Sequence, residues 1–160
     1  MSLLALSLAV ALQSAPEAEA AAVVDRLHEL ASAADGPAYF DLFTPDARFV
    51  GTDGGERWSV EAFKAYAMPY FSQGKGWTYH PRDRVVTMLA LPCQCVASFD
   101  ELLDNDAYGV TRGSGVLVRT EAGWKIQQYV LSYVVPNDVA REVTALIRSH
   151  EAAKPATPAP

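Results

Sequence analysis

From Tyr108 to Asn137 apolar and polar side chains alternate with a period of two, interrupted once at the polar turn Glu121-Ala122-Gly123. That period puts successive side chains on opposite faces of a strand, where a helix would repeat every 3.6 residues. Two long neighbouring strands joined by a short turn are therefore expected, an antiparallel hairpin near the end of the folded part. With glycines at Gly109, Gly113 and Gly115, such a hairpin suits a curved sheet whose concave face can enclose a pocket.

The rest of the chain supplies the elements around that hairpin. Ala18 to Ala34 is rich in Ala, Leu and Glu, and Val23, Leu27, Leu30 and Ala31 share one helical face. Asp35-Gly36-Pro37 stops that helix, and a short second one follows through Tyr39, Phe40 and Phe43 until Thr44-Pro45-Asp46 breaks it. Ala47 to Gly51 reads as a short strand and Glu56-Arg57-Trp58 as an extended segment. Ser59 then caps a third helix, from about Val60 to Ala67, ended or kinked by Pro69. Strands are expected over Trp77–Leu91, Cys95–Leu103, Ala107–Thr120 and Trp124–Val134, with Asp104-Asn105-Asp106 as an Asx turn. Asp138 to His150 is helical, with Val139, Val143, Leu146 and Ile147 on one face. Helices first and a long antiparallel meander afterwards is an α+β pattern.

One domain fits 160 residues. A formal charge of −6 with no basic stripe argues against a nucleic-acid partner, whose phosphates demand Lys and Arg. Met1 to Leu12 is apolar and uncharged, the length of a signal-peptide core and too short to span a bilayer, although no Lys or Arg precedes it. The expected organisation is a leader over residues 1–20, a domain over 21–150 and an Ala/Pro-rich disordered tail over 151–160, in a periplasmic or secreted protein without a membrane span in its mature form. The alternative for the start is an apolar extension of the first helix. Cys93 and Cys95 read as ordinary residues at a strand start or as a reactive pair. A disulfide between them would close a very small, strained ring, and two thiols alone make a poor metal site.

Several short motifs in order, Phe49-Val-Gly-Thr-Asp-Gly-Gly-Glu-Arg-Trp58, Gly74-Lys-Gly-Trp-Thr-Tyr79, Phe99-Asp-Glu101, Tyr108-Gly109, Arg112-Gly-Ser-Gly-Val-Leu117 and Gly123-Trp-Lys-Ile126 through Val135-Pro-Asn137, resemble the SnoaL-like branch of the NTF2-like superfamily. The resemblance covers about Val24 to Ile147. It implies an NTF2-like cone, in which a strongly curved antiparallel sheet is packed with three N-terminal helices, followed here by a C-terminal helix. Polyketide cyclases, ketosteroid isomerase and scytalone dehydratase share that shape, so fold alone does not choose an activity. Similar proteins dimerise through the outer face of the sheet, where Leu117, Tyr129 and Leu131 would need cover.

Period two puts Trp124, Ile126, Gln128, Val130 and Ser132 on one face of the last strand, the face that the resemblance turns toward the cavity. Positions 128 and 130 often hold His in similar proteins, and here they do not. Of the three histidines, His28 and His150 lie on helices and only His80 is expected to reach the pocket mouth. Asp53, Asp100 and Glu101 are the candidate catalytic carboxylates, since burial raises a carboxyl pKa toward the range a general base needs. Asp100 and Glu101 point to opposite faces, and an ion pair with Arg112 or Arg84 is the competing reading for whichever faces inward. Tyr39, Phe49, Trp58, Tyr66, Tyr70, Trp77 and Tyr79, with Arg112, Gln128 and Ser132, are the candidate ligand contacts, suited to a small apolar or aromatic molecule. No metal site, cofactor fingerprint or phosphate loop is legible. A small-molecule-binding pocket protein without established catalysis, an isomerase, cyclase or dehydratase, and a dimeric association module are the three functional readings.

Overall fold

The computed structural model describes residues 15–153; the apolar start and most of the expected tail lie outside it. Helix α1 spans Pro16–Ala33 and buries Ala20, Val24, Leu27, His28, Leu30 and Ala31. Pro16 suits its first turn, where the missing N–H has no partner to lose. Ala34 ends it in the left-handed conformation, φ 56°, returning its N–H to the Leu30 and Ala31 carbonyls. The Asp35 side chain then accepts from Ala38 N and starts α2, Gly36–Asp41.

Strand β1 begins at Phe43 and runs to Val50, so Thr44-Pro45-Asp46 lies inside it and not in a break. Pro45 is tolerated there because pairing with the last strand is irregular between Phe43 and Arg48. A short β2, Arg57–Ser59, pairs antiparallel with β1. Ser59 caps α3, Val60–Phe71, by accepting from Ala62 N at 3.2 Å. Pro69 neither ends this helix nor prevents its closing at Ser72. Strands β3 (His80–Met88), β4 (Val96–Asn105), β5 (Gly109–Thr120) and β6 (Gly123–Tyr133) form the meander, and α4 covers Ala140–Ala153. Residues 77–79, expected as the start of β3, instead pack Trp77 against α1, with Trp77 N donating to Ala31 O. The Asx turn is present: Asn105 Oδ1 accepts from Ala107 N and Tyr108 N.

The six strands are ordered β2-β1-β6-β5-β4-β3, antiparallel except for β1 against β6. Helices α1, α2 and α3 cover the concave face. Tyr39, Phe40, Phe43, Phe49, Phe63 and Phe71 meet the sheet residues Ala97, Phe99, Leu117, Trp124, Ile126 and Tyr129 in one core. Among the described residues no helix is long and apolar enough to cross a membrane. Helix α4 buries none of its residues, and Leu146 is 71 % exposed.

One irregularity reverses part of the expected face assignment. Leu117 pairs with Ile126 but Val116 pairs with Gln128, so Gln127 is an additional residue, a β-bulge. Its side chain hydrogen-bonds with the Thr44 hydroxyl at 2.9 Å. Past the bulge the alternation flips. Trp124 and Ile126 face inward as expected, but Tyr129 and Leu131 follow them, and Gln128, Val130 and Ser132 turn to the outer face. Tyr129 is therefore a core residue and Leu131 lines the cavity, while Leu117, opposite the inward Ile126, is core without the bulge; none of the three is an exposed dimer contact.

The Arg-Gly-Ser-Gly strand makes this packing possible. A Cβ at position 115 would collide with the Gln128 carbonyl oxygen and come within 2.8 Å of the Phe99 ring. Backbone cannot yield as a flexible side chain can. Gly115→Ala is expected to cost about 2 kcal/mol or more, read as a lowered midpoint in urea denaturation with an unchanged slope.

Candidate functional site

A cavity of about 170 Å³ opens between the helices and the concave sheet. Its walls are Leu27, His28 and Ala31 of α1, Tyr39 of α2, Phe63 and Tyr66 of α3, and Phe49, Trp58, Tyr129 and Leu131 of the sheet, with Trp77 and Tyr79 from the approach to β3. Thr52, Glu56 and Tyr108 also contribute, and the exposure of Thr52, Tyr66 and Tyr108 marks the mouth. Phe49 stacks on Phe63 with ring centres 3.8 Å apart, and Trp58 stacks on Phe63 at 5.4 Å. This aromatic wall comes from elements far apart in sequence, brought together by the curvature of the sheet.

Beside the cavity lies a buried polar chain. Glu101 of β4 is fully buried and both of its oxygens are engaged: Oε1 with His28 Nε2 at 2.6 Å and Oε2 with Arg84 Nε at 2.7 Å. A carboxylate only accepts, so the imidazole places its proton on Nε2. Arg84 of β3 continues the chain, donating through Nη1 to Asp25 Oδ1 at 2.5 Å and to the Ala21 carbonyl. Burial opposes the charge on Arg84, but the hydrogen bond it donates to Asp25 and the charge of Glu101 outweigh it and raise its pKa. One terminal nitrogen, Arg84 Nη2, is buried without a partner among the described residues.

The phenols respond to the same surroundings. Burial pushes the Tyr129 hydroxyl well above its ordinary pKa, and the neighbouring Glu101 charge adds to the effect. Tyr39 is raised for the same first reason. Burial pushes Tyr79 up to about 12. All three remain hydrogen-bond donors at neutral pH. Gly113 on β5 keeps room for this corner: a Cβ there would lie 2.7 Å from the Tyr129 hydroxyl and 3.1 Å from Glu101 Oε1.

Of the expected ligand contacts, Tyr39, Phe49, Trp58, Tyr66, Trp77 and Tyr79 do line the cavity. Tyr70 does not; it packs outside against Tyr66 and is exposed. Arg112, Gln128 and Ser132 lie on the outer face, Arg112 opposite Leu102 and Ser132 in the sheet. Among the candidate carboxylates only Glu101 faces inward. Asp100 is exposed on the outer face, and Asp53 sits in an exposed turn, accepting from Gly55 N at 2.8 Å. The partner of the inward carboxylate is Arg84 and not Arg112. His80 is exposed at the start of β3, whereas His28 reaches the cavity wall. A helical histidine on the same face as Val24, Leu27 and Ala31 was the available clue. Its value depended on which side of β4 carried Glu101.

The SnoaL-like domain family matches residues 20–136. The chain belongs to this family. Solved structures share the fold across most of the chain. A candidate dehydratase of the NTF2-like family from Streptomyces avermitilis is 14% identical, with a TM-score of 0.63, covering 76% of this chain and 97% of its own. A candidate aromatic ring hydroxylase from Novosphingobium aromaticivorans is 19% identical, with a TM-score of 0.56 and coverages of 74% and 92%. A candidate calcium/calmodulin-dependent protein kinase II association domain from Xanthomonas campestris is 19% identical, with a TM-score of 0.54 and coverages of 74% and 87%. No curated protein matches the sequence. At these identities the likeness establishes the SnoaL-like α+β cone and leaves the activity to the site.

Two outcomes test the polar chain. Glu101→Ala strands the buried Arg84 charge and is expected to cost about 3–5 kcal/mol, whereas Asp100→Asn on the outer face should stay within about 0.5 kcal/mol; urea unfolding compares them. In a spectrophotometric titration, Tyr79 should ionise near 12, above the ordinary 10.0 of a phenol in water. A raised folded-state pKa favours the protonated fold, so this contribution is complete below pH 10 and is lost as the pH rises toward 12.

Proposed function

We propose that this SnoaL-like protein binds a small apolar or aromatic molecule in its cavity, without itself transforming it. One observation carries the reading: the inward carboxylate, Glu101, is not free for chemistry, because both oxygens are bound by His28 and Arg84. A general base would need an oxygen or nitrogen open to substrate, and an association module would have a cavity filled by side chains. Here the cavity is open and its wall is mostly aromatic. Flat apolar molecules gain most from such a wall, by area and by ring stacking. Phenol donors from Tyr79 and Tyr129 add a place for one ligand oxygen.

A second reading rests on His28. With Nε2 tied to a carboxylate, its imidazole is held in one orientation at the cavity wall, which is how a general base is positioned. An isomerase or dehydratase of this kind would use His28 for the proton and Glu101 to orient it. The outer face of the sheet supports a homodimer, now through Val85, Val116 and Val130 and not the residues expected from simple alternation. The apolar run from Met1 to Leu12 supports an exported protein.

Native mass spectrometry of the purified chain should reveal a retained small molecule, and calorimetry with aromatic alcohols should give a negative heat-capacity change from apolar burial. Leu131→Trp, which fills the cavity from the sheet side, should abolish that binding while the far-UV spectrum stays unchanged. Retained binding in a folded Leu131→Trp protein would remove the cavity from consideration. Turnover of a bound ligand that falls about 10²-fold or more in His28→Gln, with binding intact, would select the enzymatic reading.

A further inference from the structure

The connection from β3 to β4 carries chemistry that the cavity does not use. Cys93 and Cys95 are joined as a disulfide across the single residue Gln94. A cross-link stabilises a fold mainly by shortening the loops available to the unfolded chain, and its effect grows with the length of chain enclosed. One enclosed residue gives almost nothing. Nor does the hairpin need the bond, since β3 and β4 already pair from His80 opposite Asp104 to Met88 opposite Ala97, with one register shift between Arg82 and Val85.

The ring also imposes a conformational cost. Gln94 has φ 46°, in the left-handed region that a residue with a Cβ disfavours. Its N–H donates to the Leu91 carbonyl, and Arg119 N donates to the Cys95 carbonyl, so the turn is anchored at both sides. Cys93 is exposed and Cys95 half-buried. Leu89 and Leu91, 40% and 44% exposed, form an apolar rim beside them. A bond that contributes little to stability, sits at the surface and holds a neighbour in an unfavourable conformation has the features of an exchangeable disulfide.

We propose that Cys93-Gln94-Cys95 is a thiol–disulfide exchange site. Its reactants are thiols, either a small one of the glutathione class or the cysteine of a polypeptide seated on the Leu89–Leu91 rim. An incoming thiolate attacks Cys93 Sγ; the new S–S bond forms as the Cys93–Cys95 bond breaks, and Cys95 leaves with the electron pair and takes a proton from water. A second thiolate attacks the incoming sulfur, releasing Cys93 as a thiol. The site gains two electrons and two protons while two thiols become one disulfide. Run backwards, a disulfide oxidises the pair.

The full chain is equilibrated with reduced and oxidised glutathione at graded ratios, quenched by alkylation and weighed intact. The expected result is full conversion to the dithiol within the series, with an unchanged far-UV spectrum. Gln94→Gly, which removes the disfavoured conformation, should shift the equilibrium toward the disulfide by on the order of fivefold. Cys95→Ser, which has no second thiol to release the adduct, should trap a mixed disulfide at Cys93. Comparing its rate with oxidised glutathione and with the disulfide of a Leu-flanked cysteine peptide distinguishes the sources: a faster peptide reaction assigns a polypeptide partner, and equal rates assign small thiols. A pair that stays closed across the series, reduction that unfolds the chain, or an equilibrium unmoved by Gln94→Gly would overturn the proposal.

Discussion

A carboxylate removed from water must be paired, and Glu101 is removed completely. Its two partners come from different elements: His28 from α1 and Arg84 from β3, with Asp25 of α1 closing the chain on the far side of Arg84. Helix α1 is thereby held across two strands by charge as well as by the apolar face of Val24, Leu27 and Ala31. The cavity wall depends on that placement, because Leu27, His28 and Ala31 form its helical side. The carboxylate that looks most suited to catalysis is thus the one the architecture needs for itself, and the imidazole it orients is what remains facing the cavity.

The second constraint is the additional residue in β6. Were Gln127 paired as an ordinary strand residue, β6 would present Gln128 and Val130 to the concave face, and the wall would be aliphatic and amide-lined. With it, Tyr129 lies against Phe49 at 5.5 Å between ring centres and brings a phenol to the polar corner beside Glu101. Glycines at 113 and 115 on the neighbouring strand supply the space, so the bulge and the Arg-Gly-Ser-Gly strand act as one device. Structures sharing this cone are described with chemistries as different as dehydration and ring hydroxylation. Local placements of this sort, not the cone, give each cavity its character.

Much of this was legible in the sequence because it is local. The Ser59 cap, the Asn105 turn, the hairpin and the apolar face of α1 each depend on residues within a few positions of one another. The aromatic wall was legible for a different reason: Tyr39, Phe49, Trp58, Trp77 and Tyr79 are too numerous and too large for most of them to be anywhere but inside. Pro45 misled as a breaker because an irregular strand pairing tolerates the missing N–H, and α3 runs two residues past Pro69. The inner face of β6 misled because strict alternation assumes an unbroken register, and one inserted residue reverses every position beyond it.

The sequence by itself determined the α+β class, the order of elements and the aromatic character of the interior, since periodicity and capping are properties of short segments. Only the tertiary structure decided that Glu101 and not Asp100 faces inward, that Arg84 and His28 are its partners, and that Tyr129 belongs to the cavity. Those outcomes depend on cross-strand register and on the approach of α1 to the sheet. Both are set by long-range packing that no single segment encodes.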